Sequence, residues 1–245
     1  NKIKYIVIAG SSGGHILPAI KLINELSKIK NPNNILFISD KIGKKFIEKT
    51  NYSKIKTLEI NSSYKFNFIL KIIKNVLPIL LNNRKLKLIG FGGFMTVPVL
   101  FFSKILNIFF LSSNKIYIHE QNYIFGMANK FNYFLAHKVF TSFPSNKILK
   151  KKEIYVGNYF NDKVLPNSYD ENENLIKILL IGGSAGSLEL NDLLIDKLKN
   201  TDKDLNDKIK LFVQIPSLYL KDYESKYLKL LKNISFFTFK RSEER

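Results

Sequence analysis

Short, almost wholly apolar runs alternate along this chain with segments whose apolar residues recur every three or four positions. The runs Lys4–Ala9, Ile35–Ser39, Lys56–Ile60, Leu86–Gly90, Ile116–His119 and Lys138–Thr141 each predict a strand. Between them, Ile16, Ala19, Ile20, Ile23 and Leu26 share one helical face, and further helices are predicted over Ile42–Lys49, Val97–Leu106 and Gly126–Leu135. Strands apolar on both faces and alternating with helices indicate an α/β fold with a parallel sheet covered on both sides. The pattern then restarts. Glu153–Val156 is a short strand, Gly157-Asn158 a turn, and Asn161–Asn174 a polar, aperiodic linker. Strand Ile176–Ile181, helix Leu188–Leu198, strand Leu211–Ile215, helix Tyr219–Leu231 and strand Ile234–Phe239 follow. The expected organisation is a first domain over 1–157 and a second over 158–245. About three strands of the second precede the end of the chain, and the chain starts at Asn1 rather than methionine, so it reads as cut short.

The segment Phe66–Leu81 is strongly apolar, with Lys71 and Lys74 interspersed and Pro78 near its end; by pattern it is a helix lying on the sheet. Val97–Leu111 is interrupted by Lys104 and Asn107, too short and too polar for a membrane span. Tyr5–Ala9 runs straight into a glycine loop and reads as a buried strand, not as a signal-peptide core.

Composition adds two constraints. No cysteine is present among the 245 residues, which excludes disulfides, zinc–thiolate sites and a cysteine nucleophile. The formal charge is +19, carried almost entirely by lysine, since Arg84, Arg241 and Arg245 are the only arginines. A/T-rich codons for Lys, Asn and Ile explain that balance without function; attraction to an anionic surface is the alternative. No basic run is interleaved with a nucleic-acid motif, so no nucleic-acid partner is expected.

Two glycine-rich loops carry the candidate chemistry. Gly10–His15 (GSSGGH) and Gly182–Ser187 (GGSAGS) each follow a predicted strand and open a predicted helix, where free backbone N–H groups hold phosphate. Neither the dinucleotide pattern G-x-G-x-x-G nor the P-loop lysine is present, which argues against a bound dinucleotide and against ATP hydrolysis. His15, at the mouth of the first helix, reads equally as a proton acceptor for a hydroxyl or as a cap of the loop. Asp40 reads as an acid closing its strand, and His137 as structural. His119-Glu120 lies at a strand's carboxyl end but is not H-E-x-x-H, since position 123 is Tyr, so no metal site is expected.

Ala9–Pro18 (AGSSGGHILP), Gly90–Pro98 (GFGGFMTVP), His119–Lys130 (HEQNYIFGMANK), Val156–Asn158 (VGN) and Gly182–Asn191 (GGSAGSLELN) together resemble the MurG family. The resemblance covers nearly the full length. It implies a GT-B-type fold of two Rossmann-like domains with parallel sheets, the second incomplete. It implies inverting transfer of N-acetylglucosamine from UDP-N-acetylglucosamine to undecaprenyl-pyrophosphoryl-MurNAc-pentapeptide (lipid I), without a cofactor or metal. It matches Ser12, Gly13 and Gly14 to the loop facing the diphosphate, Asn122 to a sugar-nucleotide contact, Ser184 to a nucleotide-phosphate contact and His15 to the general base. Asn161 stands where the family has an arginine at the substrate, and so brings no positive charge there. Ala185 and Ser187 replace a usual glutamine and alanine, and the family's main donor-recognition region would follow Phe239. The resemblance also implies peripheral attachment at the cytoplasmic face of the bacterial inner membrane. Phe66–Leu81 with Lys65, Lys71 and Lys74 is the candidate surface for anionic lipid, beside its reading as a sheet-covering helix. Two alternatives stay open: a non-catalytic remnant that binds the lipid-linked acceptor, and another sugar-nucleotide enzyme such as a UDP-sugar epimerase.

Overall fold

The computed structural model describes residues 2–10, 12–48, 50, 55–61, 65–144, 151–158, 175–183 and 187–238. The chain divides into two units, Asn1–Asp162 and Lys163–Arg245.

In unit 1 the predicted alternation becomes β1 (Tyr5–Ile8), α1 (Gly13–Ile29), β2 (Ile35–Ser39), α2 (Lys41–Glu48), β3 (Lys56–Glu59), α3 (Lys65–Asn75), α4 (Leu77–Asn82), β4 (Lys87–Gly90), α5 (Thr96–Ile108), β5 (Lys115–Glu120), α6 (Met127–Leu135), β6 (Lys138–Thr141) and β7 (Glu153–Tyr155). The strands form one parallel sheet in the order β3-β2-β1-β4-β5-β6-β7. Strand β1 pairs with both β2 and β4, so the winding reverses there. In open α/β sheets that reversal leaves a crevice beyond the strands' carboxyl ends, where ligands bind.

Alternation along β1 sends Ile6 and Ile8 to one face and Val7 to the other, and each face has its own core. Val7, Ile35 and Phe37 pack with Ile16, Ile20 and Ile23 of α1. Ile8, Leu88 and Ile118 pack with Phe68, Ile72, Leu80, Val99 and Leu100 of α3 to α5. Helix α1 contains Pro18, which has no N–H to donate to the carbonyl of Gly14, four residues back. One expectation changes: the segment 66–81 is two helices, not one. Pro78, in the first turn of α4, cannot donate back into α3, and the helix restarts at Val76.

Unit 2 contains β8 (Ile176–Leu180), α7 (Leu188–Lys199), α8 (Lys203–Asp207), β9 (Ile209–Gln214), α9 (Leu220–Leu228) and β10 (Asn233–Phe237). Its three strands are parallel in the order β10-β9-β8. Its core joins Leu211, Val213 and Ile215 of β9 and the residue after it to Ile195 and Leu198 of α7 and Tyr223 and Tyr227 of α9. The short α8 escaped the sequence reading because five residues are too few to show a period.

Candidate active site

Three loops converge at the switch point of unit 1, following β1, β4 and β5. The first is the glycine loop. Ser12 is extended (φ −155°, ψ 156°), and its carbonyl accepts from the N–H groups of His15 at 3.2 Å and Ile16 at 3.1 Å. Its hydroxyl makes no capping bond, and the first turn of α1 holds no acid, so no side chain within that turn offsets the positive helix end. A Cβ on Gly13 would meet nothing within 4 Å, and one on Gly14 only the Ser12 Oγ at 3.8 Å. The protein's own packing therefore does not demand glycine at either place. What the missing side chains do is leave the space before the helix end open to an approaching group. Asp40 is a cap, as its position suggested: its Oδ1 accepts from the Gly43 N–H at 2.9 Å at the start of α2.

The loop after β4 fits itself around His15. Gly92 has φ +93°, and a Cβ there would lie 2.9 Å from His15 Cε1 and 3.1 Å from its Nδ1. This glycine is demanded twice, by its backbone and by the imidazole beside it.

Strand β5 supplies the rest. Its alternating burial puts Glu120 on the covered face and His119 on the other. The Glu120 carboxylate is buried and tied down by the segment that follows it. Its Oε1 accepts from the Asn122 N–H at 2.9 Å and Asn122 Nδ2 at 3.2 Å, and its Oε2 from the Gly126 N–H at 3.1 Å and Asn129 Nδ2 at 3.0 Å. Four donors on one carboxylate make it the organiser of the β5–α6 loop. Gln121, between them, reaches across the site. Its Oε1 lies 3.1 Å from His15 Nδ1, and its Nε2 lies 3.0 Å from His119 Nδ1 and 3.3 Å from the His119 carbonyl. His119 Nε2 faces Ser142 Oγ at 3.5 Å, and the Phe91 ring packs on the imidazole with centroids 5.2 Å apart. Burial pushes the His119 pKa below its ordinary value, against a smaller opposite pull from Glu120. A largely apolar cavity of about 690 Å³ lies along this face, lined by Pro18 and Leu22 of α1 and by Phe91, Tyr117, His119 and Phe140.

Of the residues singled out in the sequence, Ser12, Gly13, Gly14 and His15 form one helix mouth. Gln121 joins the loop carrying Asn122 to His15, and Asn122 itself is exposed, with its side chain drawn back to Glu120. Ser184 and Asn161 lie outside the described residues. Sequence reasoning missed Gln121 and Gly92 as the neighbours that hold His15. In unit 2, Asn191 Nδ2 donates to the Ser187 carbonyl, at the end of the second loop, at 2.7 Å. Sequence reasoning missed the rest of that support. Gln214 Oε1 accepts from the Gly182 N–H at 3.0 Å, Gln214 Nε2 donates to the Gly183 carbonyl at 2.6 Å, and the Tyr227 hydroxyl donates to Asn191 Oδ1 at 2.9 Å. The terminal glutamine of a strand was the available signal, because strand ends in parallel sheets face the ligand side.

Comparison with known proteins gives this arrangement relatives. The family model described as "Glycosyltransferase family 28 N-terminal domain" matches residues 5–141. The chain is 32% identical over 228 residues to a protein of Wolbachia sp. subsp. Brugia malayi named UDP-N-acetylglucosamine–N-acetylmuramyl-(pentapeptide) pyrophosphoryl-undecaprenol N-acetylglucosamine transferase, covering 91% of this chain and 62% of that protein. A protein of the same name from Thermosipho melanesiensis is 37% identical over 219 residues, covering 83% and 61%. The chain thus spans about three fifths of the length of these relatives. Among solved structures, MurG of Acinetobacter baumannii superposes with a TM-score of 0.65 at 20% identity, covering 96% of this chain and 66% of that one. UDP-GlcNAc 2-epimerase of Methanocaldococcus jannaschii gives 0.57 at 14%, covering 99% and 75%. At these identities the structures share the two-sheet α/β fold of the GT-B type.

Proposed function

Because the chain belongs to glycosyltransferase family 28, we propose that it acts in inverting transfer of N-acetylglucosamine from UDP-N-acetylglucosamine to lipid I, the activity its relatives' names carry. The observation that carries this reading is His15 at an open, uncapped helix mouth. Its Nδ1 is engaged by Gln121, and its Nε2 makes no hydrogen bond among the described residues. The acceptor hydroxyl oxygen attacks the anomeric carbon of the donor while the bond from that carbon to the UDP oxygen breaks. The hydroxyl proton passes to His15, and UDP leaves with the bonding pair, inverting the configuration. The α1 N-terminus, with Ser12, Gly13 and Gly14, faces the charge that grows on the diphosphate. Asn122 is assigned to the donor sugar nucleotide, as are Ser184 and Asn161.

For the membrane, we assign the outer face of α3 to α5. Ile69, Leu70, Ile73 and Leu81 are exposed there beside Lys71 and Lys74; the Lys65 side chain lies outside the described ones. Helix α5, which packs against α3 and α4, ends in the exposed run Ile108, Phe109, Phe110 and Leu111. Phe110 is 94% exposed and has φ +57°, a costly backbone for a bulky residue whose side chain the protein hardly covers. Apolar side chains beside lysines suit shallow burial in an anionic leaflet, and no helix of the described residues is long and apolar enough to cross a membrane.

The test is transfer of labelled N-acetylglucosamine to a soluble lipid I analogue. His15→Ala is expected to lower the rate by about 10²- to 10⁴-fold with little change in the dissociation constant for UDP-N-acetylglucosamine. An unchanged rate, or a chain that binds neither substrate, overturns the reading.

A further inference from the structure

We infer that Gln121 is a positioning residue that fixes His15 in the Nδ1–H tautomer and so leaves the lone pair on Nε2. The inference rests on the reading of His15 as the proton acceptor, but its geometry stands independently. The orientation of the Gln121 amide follows from its surroundings. The His119 carbonyl, 3.3 Å from one end of the amide, can only accept a hydrogen bond, so that end is the NH2 group. The same NH2 lies 3.0 Å from His119 Nδ1 and donates its second hydrogen there. Turning the amide over would set two oxygens against each other. The other end, 3.1 Å from His15 Nδ1, is therefore the carbonyl oxygen, which can only accept. A neutral imidazole in that contact must carry its proton on Nδ1.

The rest of the site holds this arrangement in place. Asn129 Nδ2 donates to the same His119 carbonyl at 3.0 Å, and the missing side chain of Gly92 gives the His15 ring its seat. His119, accepting at Nδ1, carries its proton on Nε2 toward Ser142 Oγ, and its burial favours the neutral form that keeps Nδ1 an acceptor. The choice of an amide has its own logic. A carboxylate at position 121 would also hold Nδ1–H, but it would add a negative charge beside a helix mouth suited to an anion. The amide sets the tautomer at no cost in charge.

The chain has three histidines, which makes the inference directly readable. His137 Nδ1 accepts from the Ile116 N–H at 3.0 Å, so it too carries its proton on Nε2. In long-range ¹H–¹⁵N spectra of the substrate-free protein, at a pH where all three rings are neutral, one histidine is expected in the Nδ1–H form and two in the Nε2–H form. The Nδ1–H signal should vanish in His15→Gln. In Gln121→Ala, His15 should lose its Nδ1–H preference. An unchanged His137 signal certifies that each variant is folded. Three Nε2–H histidines in the parent protein, or an Nδ1–H His15 that persists in folded Gln121→Ala, overturn the inference. Because the tautomer is read without substrate, failure of the transfer reading and failure of this one are distinguishable. In the transfer assay, Gln121→Ala is expected to lower kcat by about 10- to 100-fold with a smaller change in donor KM, a part of what a positioned base contributes.

Discussion

In unit 1 the loop between β1 and α1 is left open, its Ser12 hydroxyl making no cap and a Cβ on Gly13 or Gly14 meeting nothing closer than 3.8 Å, while Gln121, just after β5, holds the imidazole beside it. In unit 2 the corresponding loop between β8 and α7 has its own backbone gripped. Gln214 takes the N–H of Gly182 and the carbonyl of Gly183, and Ser187 caps α7 by accepting from the Leu190 N–H at 3.2 Å. A glutamine near a strand's carboxyl end does the holding each time, beyond β5, two strands from β1, in unit 1 and on the adjacent β9 in unit 2. In one unit it meets an imidazole, and in the other it fixes main chain. The same strand–loop–helix frame thus has a side chain held beside it in unit 1 and its own described backbone held in unit 2.

Substitutions can break that contrast from either side. The largest effect is expected from Gly92→Ala. Its Cβ would displace the His15 ring and force a strained backbone, lowering transfer by about 10²-fold and stability by about 1–3 kcal/mol; kinetics and urea unfolding measure both. Normal activity in this variant would mean that His15 needs no fixed seat. Next comes Gln214→Ala, expected to weaken UDP binding by about tenfold as two backbone groups of the loop lose their partners. Titration calorimetry reads the affinity, and the His15 ring signals should stay as they were. Should those signals change, the two loops are coupled and the contrast is false. Smallest is Phe110→Gly. Relief of the left-handed backbone should stabilise unit 1 by about 1 kcal/mol, while sedimentation with anionic vesicles should show binding weakened by several-fold. Unchanged vesicle binding would remove Phe110 from the membrane surface.

The sheet was legible in the sequence because its strands are buried on both faces and are therefore apolar throughout, as in Ile35–Ser39 and Tyr5–Ile8. The helix mouths were legible because glycines between a strand and a helix are a local signal. Period-two alternation already separates His119 from Glu120, but it cannot say that Glu120 will gather four donors from residues 122 to 129. Gln121 and His15 are 106 positions apart, and nothing local in either segment announces their contact. It exists only once β1, β4 and β5 are in register. The break at Val76 was visible as Pro78, but the apolar run around it outweighed the signal.

Pro18 has a mechanical consequence. With no N–H at that position, the carbonyl of Gly14 lacks its rung in the helical ladder. The shaft of α1, anchored by Ile16, Ala19, Ile20 and Ile23, stays fixed on the sheet. The turn in front of it is joined to that shaft by one fastening fewer. The ladder of α1 is therefore least tightly fastened at the end that opens on the switch-point crevice.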